Sequence, residues 1–173
     1  MSYEKISMHD LGRLSREEFT KTEKNKIVVV LDNIRSLNNV GSAFRTADSF
    51  LIEAIYLCGV TGTPPNKDIE KTALGATHTV SWKYFKTTNE ALEKLRAEGY
   101  FIASIEQATN AVMLNIFVKP KQPVAIIFGN EVYGVEQHII DKSDTCIEIP
   151  QFGTKHSLNV SVTIGIVLWE MLR

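Results

Sequence analysis

IVVVLD, at residues 27–32, is a short and continuous apolar run rich in valine, which is typical of a strand buried on both faces. Similar runs recur along the chain, and the stretches between them have helical composition. The runs are Ala54–Cys58 (AIYLC), Tyr100–Ile105 (YFIASI), Val124–Gly129 (VAIIFG) and Thr145–Ile149 (TCIEI), and Thr79–Trp82 is a candidate for one more. This alternation predicts an α/β fold in which a mostly parallel sheet is covered by helices on both faces.

We predict helices between these strands from composition, length and end signals. They cover Asn39–Phe50, Asp68–Leu74, Asn89–Glu98 and Val135–Lys142, with Asn89 as the cap and Gly99 as the stop of the third. The last segment, Asn159–Arg173, is apolar nearly all round, so a helix formed there has to be covered on all sides. One sheet covers one side, so we expect a second subunit to cover the other; the alternative is that the helix is buried within a single monomer.

The length of 173 residues and the 44% hydrophobic content predict a single domain over residues 1–173, with residues 1–26 as a helical N-terminal extension. That extension is charged and lacks the apolar core of a secretory signal, and no apolar run approaches the length of a membrane span. We therefore expect a cytoplasmic protein with no membrane partner.

The sequence predicts no metal site. Its two cysteines lie far apart, and its four histidines do not have the spacing of metal ligands.

The formal net charge of −1 lacks the basic excess that nucleic-acid binding usually brings. A basic groove can still lie on a neutral protein when acidic residues gather elsewhere.

Ligands of parallel sheets bind beyond the carboxyl ends of the strands, and three loops at such ends are rich in polar residues. The first carries Asn39, Gly41 and Arg45 into a helix. Glycine there permits close approach of a backbone or a phosphate, and amide groups at a helix start favour anions. Arg45 has apolar neighbours and needs a phosphate, a carboxylate or another subunit as its partner; read alone, a structural salt bridge explains it better.

The second loop, GNEVYG at residues 129–134, is not followed by Lys and Ser or Thr, so it is not a phosphate-binding P-loop. Its Glu131 is a candidate to cap the next helix, to bind an amine or to orient a reacting group. In the third loop, Ser157, Asn159 and Ser161 precede the final helix, and we expect at least one of them to cap it. The absence of G-x-S-x-G argues against a serine hydrolase.

Taken in order, these loops resemble the three motifs of the SpoU (TrmH) family of RNA ribose methyltransferases. The matching patterns are N-x-G-x-x-x-R at 39–45, F-G-N-E-x-x-G at 128–134 and I-P-x-x-G-x-x-x-S-L-N-V-S-V at 149–162. KTALGA at 71–76 resembles a segment between the first two motifs, and the likeness runs from about Ile27 to the C-terminus. Asn130, Gln151 and Thr163 stand where other residues are common in the family.

The resemblance implies a C-terminal trefoil knot, a homodimer, S-adenosyl-L-methionine as cofactor and methylation of a ribose 2′-hydroxyl of RNA, with tRNA favoured over rRNA. It assigns catalytic roles to Arg45, Asn39, Glu131, Ser157 and Asn159. It assigns cofactor contacts, made largely through backbone groups, to Gly129, Ile149 and Leu158. The loop after the Tyr100–Ile105 strand is expected to help, with Ser104 as its candidate. Because a guanidinium stays protonated, we expect Arg45 to bind a target phosphate and to stabilise the developing alkoxide charge rather than to remove a proton.

Two alternative functions remain open. One is a non-catalytic RNA-binding or scaffold dimer that retains the fold. The other is a general α/β nucleotide-binding enzyme, which the missing phosphate-loop signatures disfavour.

Overall fold

One parallel sheet organises the chain. The computed structural model describes residues 1–173, except for the side chains of residues 8 and 9. Within it the strands are β1 (Asn25–Asp32), β2 (Ile52–Cys58), β3 (Ser81–Phe85), β4 (Phe101–Ile105), β5 (Val112–Met113), β6 (Val124–Phe128) and β7 (Thr145–Glu148). Their order is β3-β2-β1-β6-β4-β7-β5, and every pairing between them is parallel. The predicted sheet is confirmed; β5, with two residues, is too short to leave a pattern in the sequence.

The helices alternate with these strands as predicted, although several of their ends differ. They are α1 (Arg16–Lys21), α2 (Leu37–Ser49), α3 (Lys67–Ala73), α4 (Thr88–Ala97), α5 (Gln137–Ile140) and α6 (Val160–Leu172), with 3-10 turns at Met8–Leu11, Ala76–His78 and Leu114–Ile116. The cap predicted at Asn89 is wrong, because the Thr87 hydroxyl accepts the Glu90 N–H at 3.3 Å and α4 begins at Thr88. The helix predicted over Val135–Lys142 is also too long.

The two faces of the sheet carry separate apolar cores, because successive strand residues point to opposite sides. From β1, Ile27, Val29 and Leu31 join the core that α2 and α6 cover, whereas Val28 and Val30 join the core covered by α4 and α5. Helices therefore lie on both faces, as predicted. In the N-terminal region, Phe19 of α1 is buried in the first of these cores.

The packing of α2 on α3 is unusually close at Gly41. A Cβ atom at this position would lie 2.1 Å from Thr72 Oγ1 and 2.2 Å from the Ile69 carbonyl oxygen. The Thr72 hydroxyl also donates to the Asn38 carbonyl at 3.0 Å. The sequence left open whether Gly41 allows the close approach of a backbone or of a phosphate. The structure shows that the backbone of α3 lies there.

The carboxyl ends of β1, β6, β4 and β7 adjoin at one edge of the sheet, and the loops with the motif residues leave from this edge. The trefoil knot stays a prediction. None of the described helices combines the length and apolarity that a membrane crossing requires.

Candidate active site

A cavity of about 500 Å³ opens beyond the carboxyl ends of β4, β6 and β7. Its walls come from residues 105–107, residues 128–134 and the segment that begins at Ile149 and leads into α6. A volume of this size is typical of small-molecule sites. Gly129, Ile149 and Leu158, which the family resemblance assigns to the cofactor, all line the cavity, as does Ser157.

Ser104 does not line this cavity. It is fully buried within β4, and its hydroxyl donates to the Thr145 carbonyl at 3.4 Å. The next residues along the chain, from Ile105 to Gln107, line the cavity at the end of this strand.

The turn at residues 129–134 is built largely from hydrogen bonds of Asn130. Its backbone exchanges two bonds with Gly134, at 3.0 and 2.9 Å. Its side-chain oxygen accepts the N–H groups of Val132 and Tyr133 at 2.9 and 3.1 Å, and its side-chain amide donates to the Asn33 carbonyl at 2.7 Å. One asparagine thus closes the turn and ties it to the loop after β1.

Glycine is required at both ends of this turn, for different reasons. A Cβ at Gly129 would lie 2.2 Å from the Gly134 carbonyl carbon and 2.2 Å from the Val135 nitrogen. Gly134 has φ of +67°, and a Cβ there would lie 2.1 Å from Glu106 Oε2. The G-x-x-x-x-G spacing therefore reflects two backbone constraints of one compact turn.

A polar network joins the three motifs at the cavity edge. The Asn39 side-chain amide donates to Glu131 Oε1 at 3.0 Å, and the Asn159 amide donates to Asn39 Oδ1 at 3.2 Å. Asn159 Oδ1 accepts from the Ser161 N–H at 2.9 Å, which caps α6 as predicted. Asn39, Glu131 and Asn159, which lie far apart in the sequence, are brought together by the fold.

Glu131 is held as an anion at the start of α2. Its carboxylate accepts the N–H groups of Arg35 and Ser36 at 3.1 and 3.0 Å, besides the amide of Asn39. Burial acts to raise the pKa of Glu131, but these hydrogen bonds outweigh it and the pKa lies below its ordinary value. Glu131 therefore caps the region before α2 rather than the helix that follows it, and its lone pairs are engaged by donors.

Arg45 lies away from the cavity, in a surface groove of about 380 Å³ that it shares with Lys71, Ser161 and Val162. A second depression adjoins this groove and is lined by Arg45 together with Arg16 of α1. Within the described part of the chain, no carboxylate forms an ion pair with Arg45. From the sequence of its own loop, a structural salt bridge was the better explanation of Arg45. For the described residues this explanation is wrong.

The loop after the Tyr100–Ile105 strand was expected at the cofactor, but its two polar residues that line the cavity, Glu106 and Gln107, were not singled out from the sequence. The Glu106 carboxylate accepts the Val135 N–H at 2.8 Å and the Gln107 N–H at 2.9 Å. The Gln107 side chain donates to the His156 carbonyl at 2.6 Å. A polar pair directly after a buried strand was the signal that could have found them. Among the described side chains, no three His, Cys, Asp or Glu residues cluster in a way that could hold a metal ion.

Comparison with known proteins places these features in one family. The model of the SpoU rRNA Methylase family matches residues 26–169. An uncharacterized tRNA/rRNA methyltransferase of Borreliella burgdorferi is 31% identical over 90% of this chain and 68% of its own length.

Solved structures show the same likeness. The AdoMet-bound rRNA methyltransferase of Sinorhizobium meliloti superposes with a TM-score of 0.81 at 25% identity, over 88% of this chain and 59% of that one. The TrmH/SpoU tRNA modifying enzyme of A. aeolicus has a TM-score of 0.78 at 28% identity, over 90% of this chain and 78% of that one. The chain thus spans only about two thirds of the length of several relatives that it matches.

Proposed function

Because the chain belongs to the SpoU rRNA methylase family, we propose that it transfers a methyl group from S-adenosyl-L-methionine to a ribose 2′-hydroxyl of RNA. The observation that carries this proposal is the meeting of all three motif loops at one place. Gly129, Ile149 and Leu158 line the cavity, and the Glu131–Asn39–Asn159 network lies at its edge.

The cavity fits the proposed cofactor in size and in the character of its walls. Ile149 and Leu158 offer apolar contacts for an adenine ring, and the loop that begins at Gly129 brings backbone close to whatever occupies the cavity. When bound, S-adenosyl-L-methionine supplies a methyl group already activated by its sulfonium.

The remaining requirement is to orient a ribose hydroxyl and ease the loss of its proton. Ser157 lies on the cavity wall with its hydroxyl available for hydrogen bonding, and Asn159 is fixed through Asn39. Glu131 already accepts three donors, which weakens it as a base and suits it to hold Asn39 in place. In this scheme alignment of the hydroxyl contributes more than any strong base.

We assign Arg45 to the phosphate next to the target ribose. Its groove also contains Lys71 and the hydroxyl of Ser161, and Arg16 lies in the adjoining depression. One carboxylate, Asp48, shares that depression and accepts a hydrogen bond from Thr79. Three cations against one anion form a local basic surface on a chain whose net charge is −1, and such a surface suits phosphate.

The same groove favours action of Arg45 across a homodimer. Val162, Ile166 and Trp169 of α6 form an exposed apolar stripe, with 51%, 38% and 63% of their surfaces accessible. A second copy that covers this stripe would lie beside Arg45, because Val162 borders its groove. We therefore propose that the active unit is a dimer in which Arg45 serves the partner's cavity.

tRNA is the RNA that we favour, over rRNA. The A. aeolicus tRNA modifying enzyme matches this chain over a larger share of its own length than the S. meliloti rRNA enzyme does, 78% against 59%. An enzyme acting on tRNA would work in the cytoplasm.

Arg45→Ala tests the assignment of this arginine. We expect methyl transfer to RNA to fall by about 100-fold or more, since charge stabilisation at the reacting centre is lost. The dissociation constant for S-adenosyl-L-methionine, measured by calorimetry, should stay within about twofold, because the cavity is unchanged. Arg13→Ala is the matched control, since Arg13 is exposed and lines neither depression.

The substrate in this experiment is total RNA from cells that lack the gene, and the product is identified as alkali-resistant ribose methylation. Undiminished transfer by Arg45→Ala would remove the assigned role. Wild-type protein that does not bind S-adenosyl-L-methionine would favour the non-catalytic scaffold.

A further inference from the structure

The cavity wall that carries Ser157 and Leu158 is held differently from the rest of the site. Residues 150–158 form neither helix nor strand, and residues 152–158 are exposed. Within the described structure, the only hydrogen bond between this segment and the rest of the chain runs from Gln107 Nε2 to the His156 carbonyl. That bond, at 2.6 Å, meets the segment next to Ser157.

The residue before Gln107 reaches the opposite wall. Glu106 Oε2 accepts the Val135 N–H at 2.8 Å, at the end of the turn at 129–134. Its other oxygen accepts the Gln107 N–H at 2.9 Å, so the carboxylate also fixes the backbone from which Gln107 extends. The two residues therefore contact both walls of the cavity from a single strand end.

We propose that Glu106 and Gln107 act as a clamp that sets the distance between the two walls and thereby the affinity for the cofactor. β4 is well placed for this task, because it pairs with β6 on one side and β7 on the other. The two walls leave from those neighbouring strands. The clamp rests on the proposed function for its ligand, but its effect on the segment at 150–158 is independent of any ligand.

Trypsin provides the ligand-independent measurement, because Lys155 lies in the exposed segment next to the clamped His156. Gln107→Ala should speed cleavage after Lys155 by about 3- to 10-fold, the change expected when one neutral hydrogen bond is lost and cleavage follows the open population. Gln107→Glu keeps the size of the side chain but has no N–H to donate, so it should behave in the same way. Cleavage sites are identified by mass spectrometry.

The matched control is Gln137→Ala. Gln137 is an exposed glutamine on α5 whose side chain also donates one hydrogen bond, to Asp141 at 2.8 Å, away from the cavity. It should leave cleavage after Lys155 unchanged.

Cofactor binding completes the test. In Gln107→Ala the dissociation constant and the KM for S-adenosyl-L-methionine should rise by about 3- to 10-fold, while the KM for RNA stays the same. Glu106→Gln, which replaces one of the two accepting oxygens with an NH2 group that cannot accept an N–H, should raise the same two constants.

The clamp is overturned by wild-type cleavage rates in both Gln107 variants, or by faster cleavage with unchanged cofactor affinity. A wild-type protein that binds no S-adenosyl-L-methionine would contradict the proposed function instead, and the cleavage rates would still report whether Gln107 holds the segment.

Discussion

The two walls of the cavity, the turn at residues 129–134 and the segment at residues 150–158, match the family motifs alike but differ in physical construction. The turn is closed by the hydrogen bonds of Asn130 and by close backbone contacts at Gly129. The segment has almost no bonds of its own, and Gln107 holds it from outside. A motif in the sequence thus marks both a self-supporting turn and a loop that depends on its neighbours.

Gly129→Ala should have the largest effect, because the added Cβ meets the backbone of Gly134 and Val135 at 2.2 Å and neither can move independently of the turn. We expect a loss of about 1–3 kcal/mol in the free energy of unfolding, and cofactor binding weakened by more than about tenfold. Gly153→Ala, in the other wall, is the control. A Cβ there meets nothing within 4 Å, so the change should stay within about 0.5 kcal/mol. Equal effects of the two substitutions in chemical denaturation and calorimetry would contradict the contrast between the walls.

Asn130→Ala should have an intermediate effect. It removes the acceptor for two backbone N–H groups and the donor to the Asn33 carbonyl, but water can replace part of these bonds because Val132 and Tyr133 are exposed. We expect about 1–2 kcal/mol less unfolding free energy by urea denaturation. Thr154→Ala, in the exposed segment, should cost less than about 0.5 kcal/mol. A cost for Asn130→Ala as small as that of Thr154→Ala would show that the turn does not depend on its asparagine.

Lowering the pH should also distinguish the two walls, and we expect this to be the smallest of the three effects on the free energy of unfolding. The pKa of Glu131 is lowered in the folded chain, so its contribution to stability is complete above the ordinary value of 4.5 and is lost as the pH falls through the folded value. The difference in unfolding free energy between wild type and Glu131→Gln should be constant above about pH 5 and shrink below about pH 4.5. Residues 150–158 contain no carboxylate and should show no such dependence. A constant difference down to about pH 3 would contradict the anionic capping role.

Strand positions were predictable because burial on both faces leaves a continuous apolar run, as in Ile27–Asp32. The ends of the helices were less predictable from the sequence. Thr87 and Asn89 are both good caps two residues apart, and only the packed structure selects Thr87. The helix predicted from Val135 begins only at Gln137, and the Val135 N–H instead donates to Glu106, which lies 29 residues earlier in the chain and gives no local signal in the sequence.

The site was predictable where family motifs name residues, as for Gly129, Ile149 and Leu158. Ser104, the further candidate, is fully buried within β4, and the chain lines the cavity only from Ile105 onward. The polar pair after β4 marks Gln107 as a candidate, but its contact with His156 could not be inferred, since that contact depends on β4 lying beside β7.

The contact at Gly41 joins α2 and α3 into one exchangeable module. Asn39 and Arg45 are carried by α2, and Lys71 belongs to α3, whose Thr72 and Ile69 occupy the space that any larger residue at position 41 would need. Transplanting the first motif into another sheet without the KTALGA segment would leave the face of α2 around Gly41 bare. In protein engineering the two segments therefore have to be moved, shuffled or redesigned as a pair.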